Sequence, residues 1–293
     1  MEDKRLLLVP VNFTHYAENG ALYALNLAHY LEANIVLLHC YLEPVMAVPG
    51  LFEPFTYSTL FDNMKTLEKD IEINLKALKE TLEKEKSKHS MDKVSISYDL
   101  VHGFPSSSIL AYAEQMEADA IVLGFENESD RLKFGNITNA VIEHAKIPVI
   151  AVPQHYKASV FKKPEKILYF TQIDELDAEA IERLIRLVSF FKAQIICVHA
   201  CLGESTEEEE QKMHELKNTL EKHYDSDLLE CGILETGDII EGVVKFVKKR
   251  QVDVLAMNTK KRHALLKLFT SNFTEKVLDQ THVPLLVFHV NRS

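Results

Sequence analysis

This sequence is short of positive charge. Its 33 Lys and Arg stand against 44 Asp and Glu, a net of −11 at neutral pH. A surface of that sign cannot neutralise a phosphate backbone, so nucleic acid is excluded as a partner. The deficit is uneven: residues 1–152 carry 13 basic and 22 acidic side chains, residues 153–293 carry 20 and 22. The first half is therefore the poorer host for an anion. Long apolar runs are missing too, since none approaches the roughly 18 residues that a membrane helix needs, and no membrane association is expected. Met1-Glu2-Asp3-Lys4-Arg5 leads into a short apolar run without a cleavable signal pattern. Cysteine is scarce. Four residues (Cys40, Cys197, Cys201, Cys231) in a chain of 293 do not make a disulfide framework, and a cytoplasmic protein is the expectation.

What is present is a duplication. Arg5-Leu6-Leu7-Leu8-Val9 returns as Lys166-Ile167-Leu168-Tyr169-Phe170, and Ile35-Val36-Leu37-Leu38-His39 as Ile195-Ile196-Cys197-Val198-His199. Ala118-Asp119-Ala120-Ile121 matches Val252-Asp253-Val254-Leu255, and Ile147-Pro148-Val149-Ile150 matches Val283-Pro284-Leu285-Leu286. A repeat this long is a domain rather than a solenoid unit of about 20–50 residues. The division is a first domain over 1–152, a linker over 153–164 and a second domain over 165–293. Twelve linker residues reach at most about 40 Å, so the two domains must lie side by side.

Each repeat alternates short apolar runs with helical stripes. The runs at 5–11, 34–40, 93–100, 119–124 and 147–152 suit parallel strands covered on both faces. Tyr16–Ala33, 105–117 and 136–145 read as helices. The second repeat has strands near 165–171, 194–200, 227–234, 252–257 and 283–290, with helices near 177–192, 206–224, 238–249 and 272–281. This alternation predicts an α/β fold, a doubly wound parallel sheet in each domain. The first repeat has about 26 extra residues between His39 and Gly103 compared with His199 and Gly237. Part is an apolar, proline-bearing loop, Glu43–Phe55, expected to lie over a pocket or against the other repeat. The rest lengthens the next helix, on which Leu67, Ile71, Leu75, Leu78 and Leu82 form a stripe.

With these residues in order, the chain resembles the universal stress protein family in its tandem form. The resemblance rests on Val9-Pro10-Val11-Asn12-Phe13-Thr14, His39 and His199, Gly103-Phe104-Pro105 and Gly237-Asp238, Ala118-Asp119 and Val252-Asp253, and the prolines of the fifth strands. It implies a five-stranded parallel sheet of order 3-2-1-4-5 in each domain, flanked by helices. Family domains also dimerise through the fifth strand. An open fifth strand would be an unprotected row of backbone amides. The two fifth strands are therefore expected to meet antiparallel, as an internal pseudo-two-fold dimer, with a further homodimer open.

A ligand of such a sheet belongs in the crevice beyond the first and fourth strands. ATP-binding members carry an Asp after the first strand and Gly-x2-Gly-x9-Gly-(Ser/Thr) after the fourth. Here Asn12 replaces the Asp, Gly124 survives, Asn127 replaces the second glycine, and the last is displaced to Gly135 beside Asn136. Glu126, Glu128 and Asp130 would repel a triphosphate. In the second repeat Gln172 or Ile173 takes the Asp position and no loop glycine remains, but Lys260, Lys261 and Arg262 are cationic, and Ser271 or Asn272 could cap the next helix. These nine residues, Asn12, Gly124, Gly135, Asn136, Lys260, Lys261, Arg262, Ser271 and Asn272, are the candidate binding set. Against that, Gly124 reads as a turn residue leaving a buried strand and Lys260–His263 as a solvated loop.

Cys197-Val198-His199-Ala200-Cys201 has metal-like residue types on one strand face, but no clear fourth ligand, and no metal is expected. His39 and His199 read as satisfied strand-end residues, Ser106-Ser107-Ser108 as helix caps, and Glu207–Glu210 as complements to a helix dipole. No catalytic spacing is visible. The expected function is that of a non-catalytic cytoplasmic stress-response protein with a degraded ATP motif in both repeats. It would bind an unidentified protein or small-molecule partner and hold no resident cofactor. The competing readings are a nucleotide or anion site for ATP or AMP in the second repeat, with slow ATP hydrolysis, and an α/β enzyme such as a nucleotide-dependent transferase.

Overall fold

The computed structural model describes residues 4–42, 57–126, 136–188, 192–222, 224–259 and 272–289. The first repeat runs β1 (Leu6–Pro10), α1 (His15–Leu31), β2 (Asn34–Tyr41), α2 (Tyr57–Lys88), β3 (Ile96–His102), α3 (Pro105–Gln115), β4 (Ala120–Phe125), α4 (Asn136–His144) and β5 (Val149–Pro153). The second runs β6 (Lys166–Phe170), α5 (Glu175–Val188), β7 (Gln194–Leu202), α6 (Glu207–Leu220), β8 (Leu229–Thr236), α7 (Ile239–Arg250), β9 (Val254–Thr259), α8 (Asn272–Thr281) and β10 (Leu285–His289).

All ten strands form one sheet, β3-β2-β1-β4-β5-β10-β9-β6-β7-β8. Each half has the order 3-2-1-4-5 and is parallel throughout; among the described residues the single antiparallel pairing joins β5 to β10. The expected meeting of the fifth strands is therefore observed. Leu285 faces Ala151, Leu286 faces Ile150 and Val287 faces Val149. Ile150 and Leu286 occupy the same place in the two repeats, so the pseudo-two-fold passes between them, and both are 3% exposed.

Period-two alternation feeds two core layers. Leu7 and Val9 point to one face, against α1, α2, α5 and α6. Leu8 points to the other, against α3, α4, α7 and α8. The inserted residues do lengthen a helix: α2 has 32 residues and its counterpart α6 has 14. Ile71, Leu75, Leu78 and Leu82 are buried as the stripe requires, but Leu67 is 39% exposed. The Glu43–Phe55 loop lies outside the described residues.

The register between repeats differs by one residue from the sequence match. Leu6 pairs with Asn34 and Lys166 with Gln194, so Leu6, not Arg5, is the counterpart of Lys166. The apolar strings slide over one another without penalty, and only the ladder fixes them. The Ala-Asp and Val-Asp motifs acquire a reason here. Asp119 accepts the Leu6 amide at 2.7 Å, and Asp253 accepts the Glu165 and Lys166 amides at 2.9 and 3.0 Å. Each carboxylate ties the start of the central strand to that of its neighbour.

Linker residues pack on α1. Asn19 donates to the Tyr156 carbonyl and Asn26 to the Lys162 carbonyl at 2.8 and 2.7 Å. From the other direction, the Arg5 guanidinium donates to the Arg186 and Leu187 carbonyls near the end of α5, each at 3.2 Å. The three serines after Pro105 are not caps. Phe104 holds the cap position of α3 without a side-chain bond, and Ser107 donates back to the Phe104 carbonyl. On α6, Thr206 and Glu209 form a reciprocal capping box, so Glu209 has a specific bond beyond dipole complementarity.

Candidate functional site

In both repeats the turn after the first strand is fixed by the same device. Phe13 and Ile173 occupy equivalent places with φ of 61° and 55°, a left-handed conformation that disfavours bulky side chains. Around it, His39 Nδ1 lies 2.8 Å from the Val11 carbonyl and His199 Nδ1 lies 3.1 Å from the Thr171 carbonyl. A carbonyl only accepts, so in each case Nδ1 carries the proton. Burial lowers the pKa of His39 against the opposing effect of Val11, which keeps the ring neutral. Phe13 stacks on that ring with centroids 4.7 Å apart. Both histidines are therefore braces between the second strand and the first turn, as their strand-end position suggested.

Among the described residues, the first crevice is open. A cavity of about 460 Å³ lies beyond the carboxyl ends of β1 and β4. Its wall is mostly apolar, with Leu38, Ile109, Leu123 and Phe125 prominent, and Glu126 at its edge; among the described residues no lysine or arginine lines it. Asn12 lines it too, but its amide is engaged. Oδ1 accepts from the Thr14 hydroxyl at 2.6 Å and Nδ2 donates to the Tyr16 hydroxyl at 3.1 Å. Thr14 in turn caps α1 through the Ala17 amide. Cys40 also reaches the cavity, but burial pushes its thiol up to about 11, so it stays protonated and weakly nucleophilic.

Gly124 is not a turn residue. It lies inside β4, and a Cβ there would meet the Tyr16 carbonyl oxygen at 1.8 Å. A Cβ on Gly20 would in turn meet the Gly124 nitrogen at 2.6 Å. These two glycines let the start of α1 lie directly on the end of β4, and that contact forms one wall of the cavity.

The second crevice is built differently. Strand registers equate Asn258 with Gly124, Thr171 with Val11 and Asp177 with Ala17. The three replacements bond to one another. Asp177 Oδ1 accepts from the Asn258 amide and the Tyr169 hydroxyl, each at 2.9 Å. Oδ2 accepts from the Thr171 hydroxyl at 2.6 Å and from the Gln172 and Asp174 amides at 3.0 and 3.1 Å. Asp177 is 2% exposed. Burial raises its pKa while the hydrogen bonds from Thr171, Tyr169 and neighbouring backbone amides pull it down, and burial wins. A buried carboxylate and its donors thus occupy the α5–β9 junction where the first repeat has Gly124, Ala17 and Val11, with no side chain that could form these bonds.

A universal stress protein family model matches residues 5–153 and again 164–289. The chain belongs to the universal stress protein family. A universal stress protein of Methanocaldococcus jannaschii is 24% identical over 162 residues, covering 55% of this chain and 83% of its own. The crystal structure of a universal stress protein from Archaeoglobus fulgidus superposes with a TM-score of 0.70 at 13% identity, over 98% of this chain and 99% of that one. A Pseudomonas aeruginosa structure described as a universal stress protein gives 0.55 at 16% identity, over 98% and 94%. At these identities the structures speak for the fold alone.

Within this tandem universal stress protein, the candidate residues fall unevenly. Asn12 and Gly124 come together at the first cavity. Asn136 opens α4 and Asn272 opens α8, which fixes their backbone position at helix starts. Gly135, Lys260, Lys261, Arg262 and Ser271 lie outside the described residues. The Cys197-His199-Cys201 face is real, since β7 runs through Cys201, but its members have separate partners. His199 holds the Thr171 carbonyl, and Cys201 faces the Gly203 carbonyl. No group of three metal-ligating side chains converges among the described residues. Sequence reasoning missed Asp177. Its signal was an acidic residue at the Ala17 position of an otherwise apolar helix face, visible only once the registers are aligned.

Proposed function

We propose that this protein is a non-catalytic ligand- or partner-binding member of the family, cytoplasmic, with its working site in the first repeat and a degraded ATP motif in both. The observation that carries this reading is the contrast between the crevices. The first is an apolar cavity of about 460 Å³ with Asn12 already bonded and Glu126 at its edge. In the second, the Asp177 network sits at the α5–β9 junction. Neither arrangement favours a triphosphate: the first has no lining cation among the described residues, and the second buries an anion of its own. The cavity wall also lacks an activated nucleophile, with Cys40 protonated and His39 committed to Val11. ATP and AMP are accordingly not resident cofactors.

Calorimetry with ATP and AMP, with and without Mg²⁺, tests this. Affinity for ATP should be weaker than about 100 μM, less than about 5.5 kcal/mol. Micromolar binding by the wild-type chain would overturn the reading. A binding stoichiometry of two per chain for any ligand would overturn the assignment of the site to one repeat.

A further inference from the structure

We propose that Cys197 and Cys231 form a dithiol site that is oxidised by hydrogen peroxide to a cross-strand disulfide. The two residues face each other in register on the neighbouring parallel strands β7 and β8. In-register residues of adjacent parallel strands project to the same face of the sheet. Strands lie about 4.7–4.9 Å apart, which falls within the roughly 4.4–6.8 Å that cystine allows between Cα atoms. Both cysteines are free. The pair is peculiar to the second repeat, because registers place Leu37 and Tyr98 at the equivalent positions.

The surroundings assign the roles. β8 is the outermost strand of the sheet, and Cys231 on it is partly exposed, whereas Cys197 is fully buried. The neighbouring Cys197 thiol lowers the Cys231 pKa, with Lys217 on α6 adding to the effect and burial opposing it. Cys197 goes the other way, raised by the neighbouring Cys231, by burial and by the Asp177 carboxylate. Cys231, the accessible member of the pair, is the reacting sulfur and the buried Cys197 the resolving one. Cys231 attacks one peroxide oxygen, the O–O bond breaks, and Cys231 sulfenic acid and one water form. The Cys197 sulfur attacks the sulfenic sulfur and displaces a second water, leaving the disulfide. Two electrons pass from the thiols to the peroxide, and both thiol protons leave in water. Because the spacing is at the short end of the cystine range, the bond is expected to be strained and open to reduction by small dithiols.

The test uses the full reduced chain and hydrogen peroxide at one to ten equivalents. The chain is then alkylated under denaturing conditions and analysed by intact mass and peptide mapping. The expected product binds two maleimides instead of four and yields a linked Cys197–Cys231 peptide that dithiothreitol separates. Cys197→Ala should leave a sulfenic acid at Cys231, trapped by dimedone, and Cys231→Ser should abolish the linkage. Circular dichroism shows whether either variant has lost its fold. The proposal is overturned if the wild-type chain keeps four titratable thiols, if a different pair is linked, or if Cys231 is oxidised beyond sulfenic acid with Cys197 still free.

Discussion

Replacing Asp177 should separate what a buried carboxylate does from what its shape does. Asp177→Ala removes the acceptor of five donors, three of them side chains and two backbone amides. A buried donor left without an acceptor costs about 1–3 kcal/mol. The gross loss is moderated because the variant no longer buries a charge and water can enter the space. A net loss of about 3 kcal/mol is expected, which for a domain of this size corresponds to about 6–12 °C in melting temperature. Asp177→Asn should be much milder. The partners of Oδ1 are the Tyr169 hydroxyl and the Asn258 amide, and both can reverse and accept from a new NH2 group. The partners of Oδ2 include two backbone amides, which cannot, so the new oxygen must take the Oδ2 place. The cost should be about 1 kcal/mol or less. The pH dependence gives an independent check. Burial raises the native pKa of Asp177 above its unfolded value. Between the two values the native state binds more protons, so this group's contribution to stability falls as pH rises through the window. Wild type should therefore gain stability relative to Asp177→Asn on acidification from pH 7 toward 4. Urea titrations read both effects from the midpoint at constant slope. An Asp177→Ala midpoint within about 1 kcal/mol of wild type would refute the reasoning.

Gly124→Ala forces a methyl against the Tyr16 carbonyl; overpacking costs typically about 1–3 kcal/mol, and thermal denaturation should show a loss at or above that range. Asp253→Ala should destabilise more than Asp119→Ala, because Asp253 accepts two backbone amides and the Lys162 ammonium, whereas one such bond is seen for Asp119; chemical denaturation of the pair checks the order. Thr206→Ala removes half of the α6 capping box and should cost about 1 kcal/mol, read from the same titrations. Ile150→Asp places a charge on the pseudo-two-fold opposite Leu286; the two repeats should then melt in separate calorimetric transitions, and a single unshifted transition would mean that this contact does not couple them.

The strand-helix alternation, the duplication and the pairing of the fifth strands were legible in the sequence because each depends on short-range periodicity or on an edge that must be covered. Strand bounds moved by only a few residues: the expected strand at 194–200 is Gln194–Leu202, and the one at 252–257 is Val254–Thr259. The site was legible in place but not in state. Asn12 stood at the right position, yet only the fold shows its amide committed to Thr14 and Tyr16. Gly124 was marked, but its reason was missed, since the atom it makes room for is a backbone oxygen of a helix more than a hundred residues earlier in the chain. Local pattern therefore determined which elements form and that they form twice. Tertiary structure decided the one-residue register of the first strand between repeats, and with it that Val11 and Ala17 correspond to Thr171 and Asp177. A hydrophobic string reads the same when shifted by one, but a hydrogen-bond ladder does not, and the place of Asp177 in the second repeat becomes visible only with that step.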